Sequence, residues 1–223
     1  FAVEHPEFRG MGTTATVAGV LGDSVYLAQV GDSRAYLVRG GVAQQITKDQ
    51  SLMQRLIEAG ELTVEEAEQS ERRNIILQAL GPEPNIKVDL TSQQLRRGDV
   101  LVLCSDGLSG QVKTDDIARL VTEESDLMAA CKRLIDKAND AGGPDNITVI
   151  AARFDGDGLI APGATDPVGH RVYPLQTDSG PTPAIEFGRA TISGVRVTFT
   201  DTAIFDHWGL TKEPALLLGM DVL

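Results

Sequence analysis

The stretch Val100-Leu101-Val102-Leu103-Cys104-Ser105-Asp106-Gly107 is an unbroken apolar run that ends on an acid followed by glycine. Such a run is typical of a strand covered on both faces. A carboxylate at its end is costly unless it is solvated, paired or bound to a cation. The stretch therefore predicts a buried strand that delivers Asp106 to the edge of a sheet, although Ser-Asp-Gly is also a common turn sequence.

Composition limits the classes of protein to which the chain can belong. It has 223 residues, of which 42% are hydrophobic, and a formal net charge of -12, so it is a globular protein with enough chain for a substantial core. The acidic balance argues against nucleic acid or an anionic membrane as the main partner, because both reward Lys and Arg. The two cysteines, Cys104 and Cys131, fall at apolar positions, which favours a reducing, cytoplasmic location.

Turn signals divide the first half of the chain into strands and an insert. Apolar segments over 15–20, 25–30, 35–39 and 42–47, separated by Gly-containing turns, predict a continuous antiparallel meander. The segment 50–81 then changes to helical spacing and predicts three short helices, the second opened by Thr63 and Glu66 as a capping box and the third over 72–80. The insert resembles a surface subdomain between two sets of strands.

Three aspartates stand beside the ends of predicted strands. Asp106 follows one predicted strand, Asp145 precedes the strand predicted over 147–153, and Asp32 follows the strand that ends at Val30. If the two later strands are antiparallel neighbours, Asp106 and Asp145 share one edge, and Asp32 can join them. Converging acids raise one another's pKa, and hard cations such as Mg2+ or Mn2+ relieve that repulsion. The alternative is three independent Asp-containing turns.

Four short motifs decide between these alternatives. They are Met11-Gly12-Thr13-Thr14, Val30-Gly31-Asp32-Ser33-Arg34, Leu103-Cys104-Ser105-Asp106-Gly107-Leu108 and Gly142-Gly143-Pro144-Asp145-Asn146-Ile147-Thr148-Val149. Their order and approximate spacing resemble those of bacterial members of the metal-dependent PPM, or type-2C, serine/threonine protein phosphatases. Over residues 1–155 the resemblance implies an α+β fold, with a partial antiparallel β-sandwich flanked by helices and the 50–81 insert as its flap subdomain.

The resemblance also implies a site and a reaction. Asp106 and Asp145 would be ligands of a binuclear Mn2+ or Mg2+ centre and, through a metal-activated water, the catalytic residues. Asp32 would be a ligand of an additional metal, giving two or three ions in the complete family site. The substrates implied are phosphorylated proteins, hydrolysed without a phosphoenzyme intermediate. Arg34 is expected to stabilise its turn rather than touch phosphate, and Asn146 to have a structural role.

The sequence departs from the family pattern in two ways. The family carries an upstream Asp-Gly-Met-Gly-Gly-like motif, whose Asp bridges the two metals, and no such motif occurs in this sequence. Gln50 stands where many relatives have His. The expectation is a phosphatase site that binds metal weakly and has little activity in this chain.

The remainder of the chain has a different character. Residues 156–183 are rich in Gly, Pro and Thr and predict a linker. Residues 184–223 resemble the C-terminal part of bacterial retropepsin-like aspartic proteases, which implies a small, mostly β fragment. Asp178, in an Asp-Ser-Gly triplet, is interpreted as a linker turn; as a catalytic acid it would require a homodimer. The alternatives to a phosphatase are therefore such a protease or a non-catalytic remnant.

Overall fold

The computed structural model describes residues 5–21, 23–82, 85–155, 159, 173–174 and 216–218. The strands are β1 (Ala15–Leu21), β2 (Ser24–Val30), β3 (Arg34–Arg39), β4 (Val42–Gln45), β5 (Asp89–Gln94), β6 (Val100–Cys104), β7 (Val149–Arg153), β8 (Tyr173–Pro174) and β9 (Leu216–Leu218). The α-helices are α1 (Leu52–Glu58), α2 (Val64–Glu68), α3 (Asp106–Ser109), α4 (Thr114–Glu123) and α5 (Leu127–Asp140), and a 3-10 turn spans Pro6–Phe8.

The strands form two antiparallel sheets. The first has the order β8-β5-β2-β1-β9 and the second the order β4-β3-β6-β7. The prediction of one continuous meander over the first four strands is therefore wrong, since the chain changes sheet between β2 and β3. The change occurs at Gly31, which has a φ of 102°, and at the buried Ser33, which accepts a hydrogen bond from Thr16 of the other sheet.

Strand β6 is buried on both faces, as its apolar run predicts. Leu101 and Leu103 point between the two sheets, while Val100, Val102 and Cys104 point toward the helices. The layer between the sheets is completed by Ala18, Val25, Leu27, Ala35, Leu37, Ile46 and Leu95. On the other side of the second sheet, α4 and α5 supply Ile117, Ala118, Leu120, Val121, Ala130, Leu134 and Ala138. The expected α+β sandwich flanked by helices is confirmed.

The insert contains the first two of its three predicted helices. Ser51 caps α1 by accepting a hydrogen bond from the Gln54 N–H, and Thr63 and Glu66 form the predicted capping box of α2. The predicted helix over 72–80 is wrong. There the backbone bonds to distant segments instead, with Leu77 donating to Gln50 and Leu80 exchanging two bonds with Thr13.

Two short segments of the C-terminal third join the first sheet. Tyr173–Pro174 pairs with β5, and Leu216–Leu218 pairs with Thr16–Ala18 of β1. The rest of the predicted linker 156–183, apart from residue 159, and of the predicted fragment 184–223 lies outside the described residues, as does Asp178. In the described part of the chain, no helix is long and apolar enough to cross a membrane.

Candidate metal centre

The topology brings the three predicted aspartates to one end of the second sheet. Strands β6 and β7 are antiparallel neighbours with Cys104 opposite Val149, as expected for Asp106 and Asp145 to share an edge. Strand β3 lies on the other side of β6, with Arg34 opposite Cys104. Asp32 therefore enters the sheet at the end where Asp106 leaves it.

Asp106 begins helix α3 directly after β6, Asp145 lies on the loop before β7, and Ser105 joins the two segments. The Ser105 hydroxyl donates to the Asn146 carbonyl over 3.1 Å and accepts the Thr148 N–H over 3.0 Å. The Ser105 N–H also donates to the Thr148 carbonyl over 3.1 Å. Ser105 stands at the N-cap position of α3 without capping it, because its side chain bonds to the other loop. We call residues 105–107 with 145–148 the Asp106 junction.

Gly107 allows the two loops of the Asp106 junction to touch. A Cβ atom at this position would overlap the carbonyl oxygen of Asn146 and lie 3.0 Å from its carbonyl carbon. Both neighbours are backbone atoms, which have no rotamer by which to move aside. Glycine is therefore required by close approach, and it holds the backbone of Asp145 and Asn146 beside that of Asp106.

Asp32 lies on a buried turn, residues 31–33, which we call the Asp32 turn. Its residue exposure is 8%. Burial, followed by the negative charges of Asp106 and Asp49, raises the pKa of Asp32 to about 6. The effect of Asp106 places its carboxylate within electrostatic reach of Asp32. The two acids therefore lie at the same end of the second sheet.

Asp145 is placed differently from the other two acids. It is exposed, and its Oδ1 accepts a hydrogen bond from the Asn146 N–H over 2.7 Å. Within the described part of the chain, no group of three His, Cys, Asp or Glu side chains is arranged to hold a metal ion. The chain thus presents a buried acid, Asp32, a half-buried acid, Asp106, and an exposed acid, Asp145, at one end of the second sheet.

The residues present fit a hard divalent cation in their chemistry. Carboxylate oxygens are the ligands that Mg2+ and Mn2+ prefer, and a cation held by these acids would offset both the burial and the like charges that raise the pKa of Asp32. Oδ1 of Asp106 is buried and receives no hydrogen bond, although the residue has other interactions. A divalent ion at this end of the sheet therefore fits the donor set.

Arg34 has the structural role that the sequence suggested. Its Nε lies 3.0 Å from Oδ1 and 2.9 Å from Oδ2 of Asp49, its Nη2 donates to Asp49 Oδ2 over 2.6 Å, and its Nη1 donates to the Tyr36 hydroxyl. Burial alone would lower the pKa of Arg34, but the charge of Asp49 raises it. Burial raises the pKa of the nearby Cys104 thiol to about 12, so this cysteine is not a nucleophile.

Sequence reasoning missed the residues that hold the acids in place. Gln50 accepts a hydrogen bond from the Gly31 N–H over 2.9 Å, and the buried hydroxyls of Thr14 and Ser33 lie 3.0 Å apart. The bonds that Ser105 makes to Asn146 and Thr148 were likewise not predicted. The available signal was a small polar residue directly beside each acid, which is frequent in ordinary turns and is therefore weak.

Comparison with known proteins agrees with this geometry. The family model described as "Protein phosphatase 2C" matches residues 5–56. The chain is 42% identical over 142 residues to protein phosphatase PhpP of Streptococcus pneumoniae, which is 64% of this chain and 58% of that protein. It is 38% identical over 155 residues to the serine/threonine phosphatase stp of Listeria monocytogenes, which is 70% of this chain and 62% of that protein.

Solved structures show the same likeness. The crystal structure of the Mycobacterium tuberculosis serine/threonine phosphatase PstP/Ppp superposes with a TM-score of 0.66 at 38% identity and covers 70% of this chain and 65% of that one. The catalytic domain of PstP in complex with two manganese ions gives a TM-score of 0.61 at 38% identity, covering 67% and 62%. The chain spans about three fifths of the length of the curated relatives compared here. These similarities give the retropepsin-like interpretation of 184–223 no support.

Proposed function

We propose that residues 5 to about 155 form part of a PPM-type protein serine/threonine phosphatase domain. On this premise, the complete domain hydrolyses phosphoserine and phosphothreonine in proteins. The observation that carries the proposal is that the pairing of β3, β6 and β7 sets Asp32, Asp106 and Asp145 at one end of the second sheet. Relatives at about 40% identity bear phosphatase names, which supports the same reaction.

The proposed ligand set is Asp106 and Asp145 for the binuclear centre and Asp32 for an additional metal. Manganese or magnesium is the proposed ion, and the manganese in the PstP complex supports this choice. When bound, such ions lower the pKa of water and stabilise charge on a phosphoryl group. In this chain, Ser105 and Gly107 hold the backbone of Asp106 against that of Asp145, so that the two ligands keep a fixed separation.

We expect the isolated chain to bind metal weakly. Among its described residues, no group of three acidic, His or Cys side chains is arranged to hold a metal ion, and the family motif with the bridging Asp does not occur in its sequence. Slow hydrolysis of p-nitrophenyl phosphate in Mn2+ is therefore expected from this chain. Robust turnover that is lost in Asp106→Asn would contradict the expected weakness while supporting the reaction.

A chimera tests the proposed reaction directly. The segment of PhpP that precedes its alignment with this chain is fused to residues 1–155, and hydrolysis of a phosphothreonine peptide is measured with Mn2+. We expect the chimera to turn over the peptide. In Asp106→Asn and Asp145→Asn the rate should fall by more than roughly 10- to 100-fold, which is the cost of losing a residue that only supports a metal ligand. The matched control is Asp136→Asn, an exposed aspartate of α5. A folded chimera without hydrolysis dependent on Asp106 would refute the proposal.

Partners, compartment and domain boundaries belong to the same proposal. The substrates are phosphorylated proteins rather than nucleic acid or membrane, which agrees with the net charge of -12. Two free cysteines, one of them buried, support a cytoplasmic location. The phosphatase unit ends near residue 155 and 156–183 act as a linker. No observation in the described residues favours the homodimeric protease.

A further inference from the structure

The side chain of Gln50 joins two segments that are far apart in sequence. Its Oε1 accepts the Gly31 N–H over 2.9 Å. Its Nε2 donates to Asp89 Oδ2 over 2.9 Å and to the Lys87 carbonyl over 3.0 Å. A single amide therefore connects the Asp32 turn to the start of β5.

The backbone of Gln50 adds two further connections. Its N–H donates to the Gly31 carbonyl over 2.9 Å, and its carbonyl accepts the Leu77 N–H over 2.7 Å. Both backbone groups of Gly31 are thus bonded to Gln50, directly before Asp32. The bond to Leu77 closes the far end of the 50–81 insert onto the same residue, and the Leu52 N–H donates to Ile75 over 2.9 Å beside it.

Gly31 transmits this restraint to Asp32. Its φ of 102° lies in the region that favours glycine, and a Cβ there would lie 2.6 Å from Thr14 Cβ. The turn is therefore confined by packing on one side and by Gln50 on the other. A shift of Gln50 has to move the Asp32 backbone, the insert, or both.

We infer that Gln50 is a positioning residue that fixes the Asp32 turn and couples it to the 50–81 insert. The inference rests on the proposed function for its catalytic meaning, because Asp32 matters there as a ligand. The coupling itself is a property of the free chain. A displacement of the insert by a bound protein substrate would reach Asp32 through this amide, and ordering of Asp32 would reach the insert by the same bonds.

Amide hydrogen exchange of the full chain tests the coupling, with Gln50→Ala compared against Gln54→Ala. Gln54 is the matched control because its side-chain Nε2 donates to Glu58, one turn further along α1, and so stays within the helix. In Gln50→Ala, we expect roughly 3- to 10-fold faster exchange at Gly31, as the loss of one hydrogen bond gives. We expect a similar rise at Leu77 and Leu52, whose bonds are between backbone groups that the substitution leaves in place.

The amides of Leu77 and Leu52 distinguish coupling from a local effect. A rise at Gly31 alone would refute the inference, because the side chain would then restrain only its own partner. An equal rise in Gln54→Ala would refute it as well. So would a uniform rise that includes the β6 amides, since that reports global destabilisation.

A pair of substitutions that exchanges the amide and the carboxylate between positions 50 and 89 supplies the rescue. Gln50→Glu keeps the acceptor for Gly31 but sets two carboxylates against each other at Asp89, so exchange at Leu77 should rise. Adding Asp89→Asn restores a donor and an acceptor in the opposite order at this contact, whereas the Lys87 carbonyl, which accepts from Gln50 in the wild type, stays opposite a carboxylate, so exchange at Leu77 should fall part of the way back toward the wild-type rate. Failure of this rescue would refute the role of the Gln50–Asp89 bond. Because the readout needs no turnover, an inactive chimera and a failed coupling are separate outcomes.

Discussion

The Asp106 junction and the Asp32 turn carry acids to the same sheet end, but they are held in different ways. The Asp106 junction joins two neighbouring strands of one sheet, and its loops touch backbone to backbone at Gly107. The Asp32 turn crosses from one sheet to the other, and the polar side chains of Thr14, Ser33 and Gln50 add to one backbone bond from Gln50 and to the packing of Gly31 on Thr14. The first arrangement tolerates little change, whereas the second can be adjusted one hydrogen bond at a time.

This difference assigns separate roles to the two regions. A ligand whose backbone is fixed by close main-chain contact keeps its geometry whatever happens at the surface. Asp32, a proposed ligand, lies on a turn bonded by side chains and is expected to respond to the segments that supply them, here the 50–81 insert. We therefore expect substitutions at the Asp106 junction to cost stability outright and those at the Asp32 turn to have smaller, separable effects.

The largest effect is expected for Gly107→Ala. The added methyl group would overlap the Asn146 carbonyl oxygen, and overpacking against atoms that cannot move aside costs about 3 kcal/mol. Urea denaturation followed by circular dichroism measures the change in the free energy of unfolding. The control is Gly40→Ala, where φ is 57° and no atom lies within 4 Å of the new Cβ, so only the backbone cost of about 1 kcal/mol remains.

Equal losses of stability in the two variants would contradict the contrast. They would mean that the loops of the Asp106 junction separate easily, and that close main-chain contact does not fix Asp106. A clearly greater loss in Gly107→Ala than in Gly40→Ala would establish it.

Much of the fold could be predicted because local signals agreed with the global structure. The apolar run 100–104 predicts a strand buried on both faces, and Thr63 with Glu66 predicts the capping box that α2 has. The common edge of Asp106 and Asp145 was predicted on the condition that β6 and β7 are antiparallel neighbours, and the structure meets that condition. Hydrophobic period and capping chemistry are local properties, so the sequence displays them directly.

The rest could not be predicted because it depends on contacts between distant segments. Nothing near Gly31 indicates that β3 joins a different sheet from β2. The segment 72–80 has helical spacing, but its backbone bonds are made to Gln50 and Thr13 instead. Gln50 itself is an ordinary polar residue in sequence, and its role follows only from the three segments that bond to it.

A second, smaller effect is expected for Asp32→Asn, and it depends on pH. The pKa of Asp32 in the folded chain is about 6, raised from 3.8 by burial first and then by Asp106 and Asp49. The ionised carboxylate therefore destabilises the fold fully above pH 6, and this cost disappears as the pH falls to about 4. With EDTA present, Asp32→Asn should be more stable than the wild type by about 2 kcal/mol at pH 7 and equal to it below pH 4.

Urea denaturation of both chains across this pH range measures the difference, with the exposed Asp136→Asn as the control. A constant difference from pH 4 to pH 8 would show that charge is not the cause. It would also remove the argument that a cation stabilises the Asp32 turn by relieving repulsion.

The smallest effect is expected for Thr14→Val, which removes one polar restraint from the Asp32 turn while keeping the shape of the side chain. The Oγ1 atom of Thr14 and the Oγ atom of Ser33 lie 3.0 Å apart, and both residues are buried. Losing such a hydrogen bond costs about 1 kcal/mol. Thr13→Val is the control, since its hydroxyl bonds at a partly buried position to the adjacent Thr14 carbonyl and should cost less. If Thr14→Val costs as much as Gly107→Ala in the same denaturation experiment, the Asp32 turn is as rigid as the Asp106 junction. A displacement of the insert would then not be expected to move Asp32.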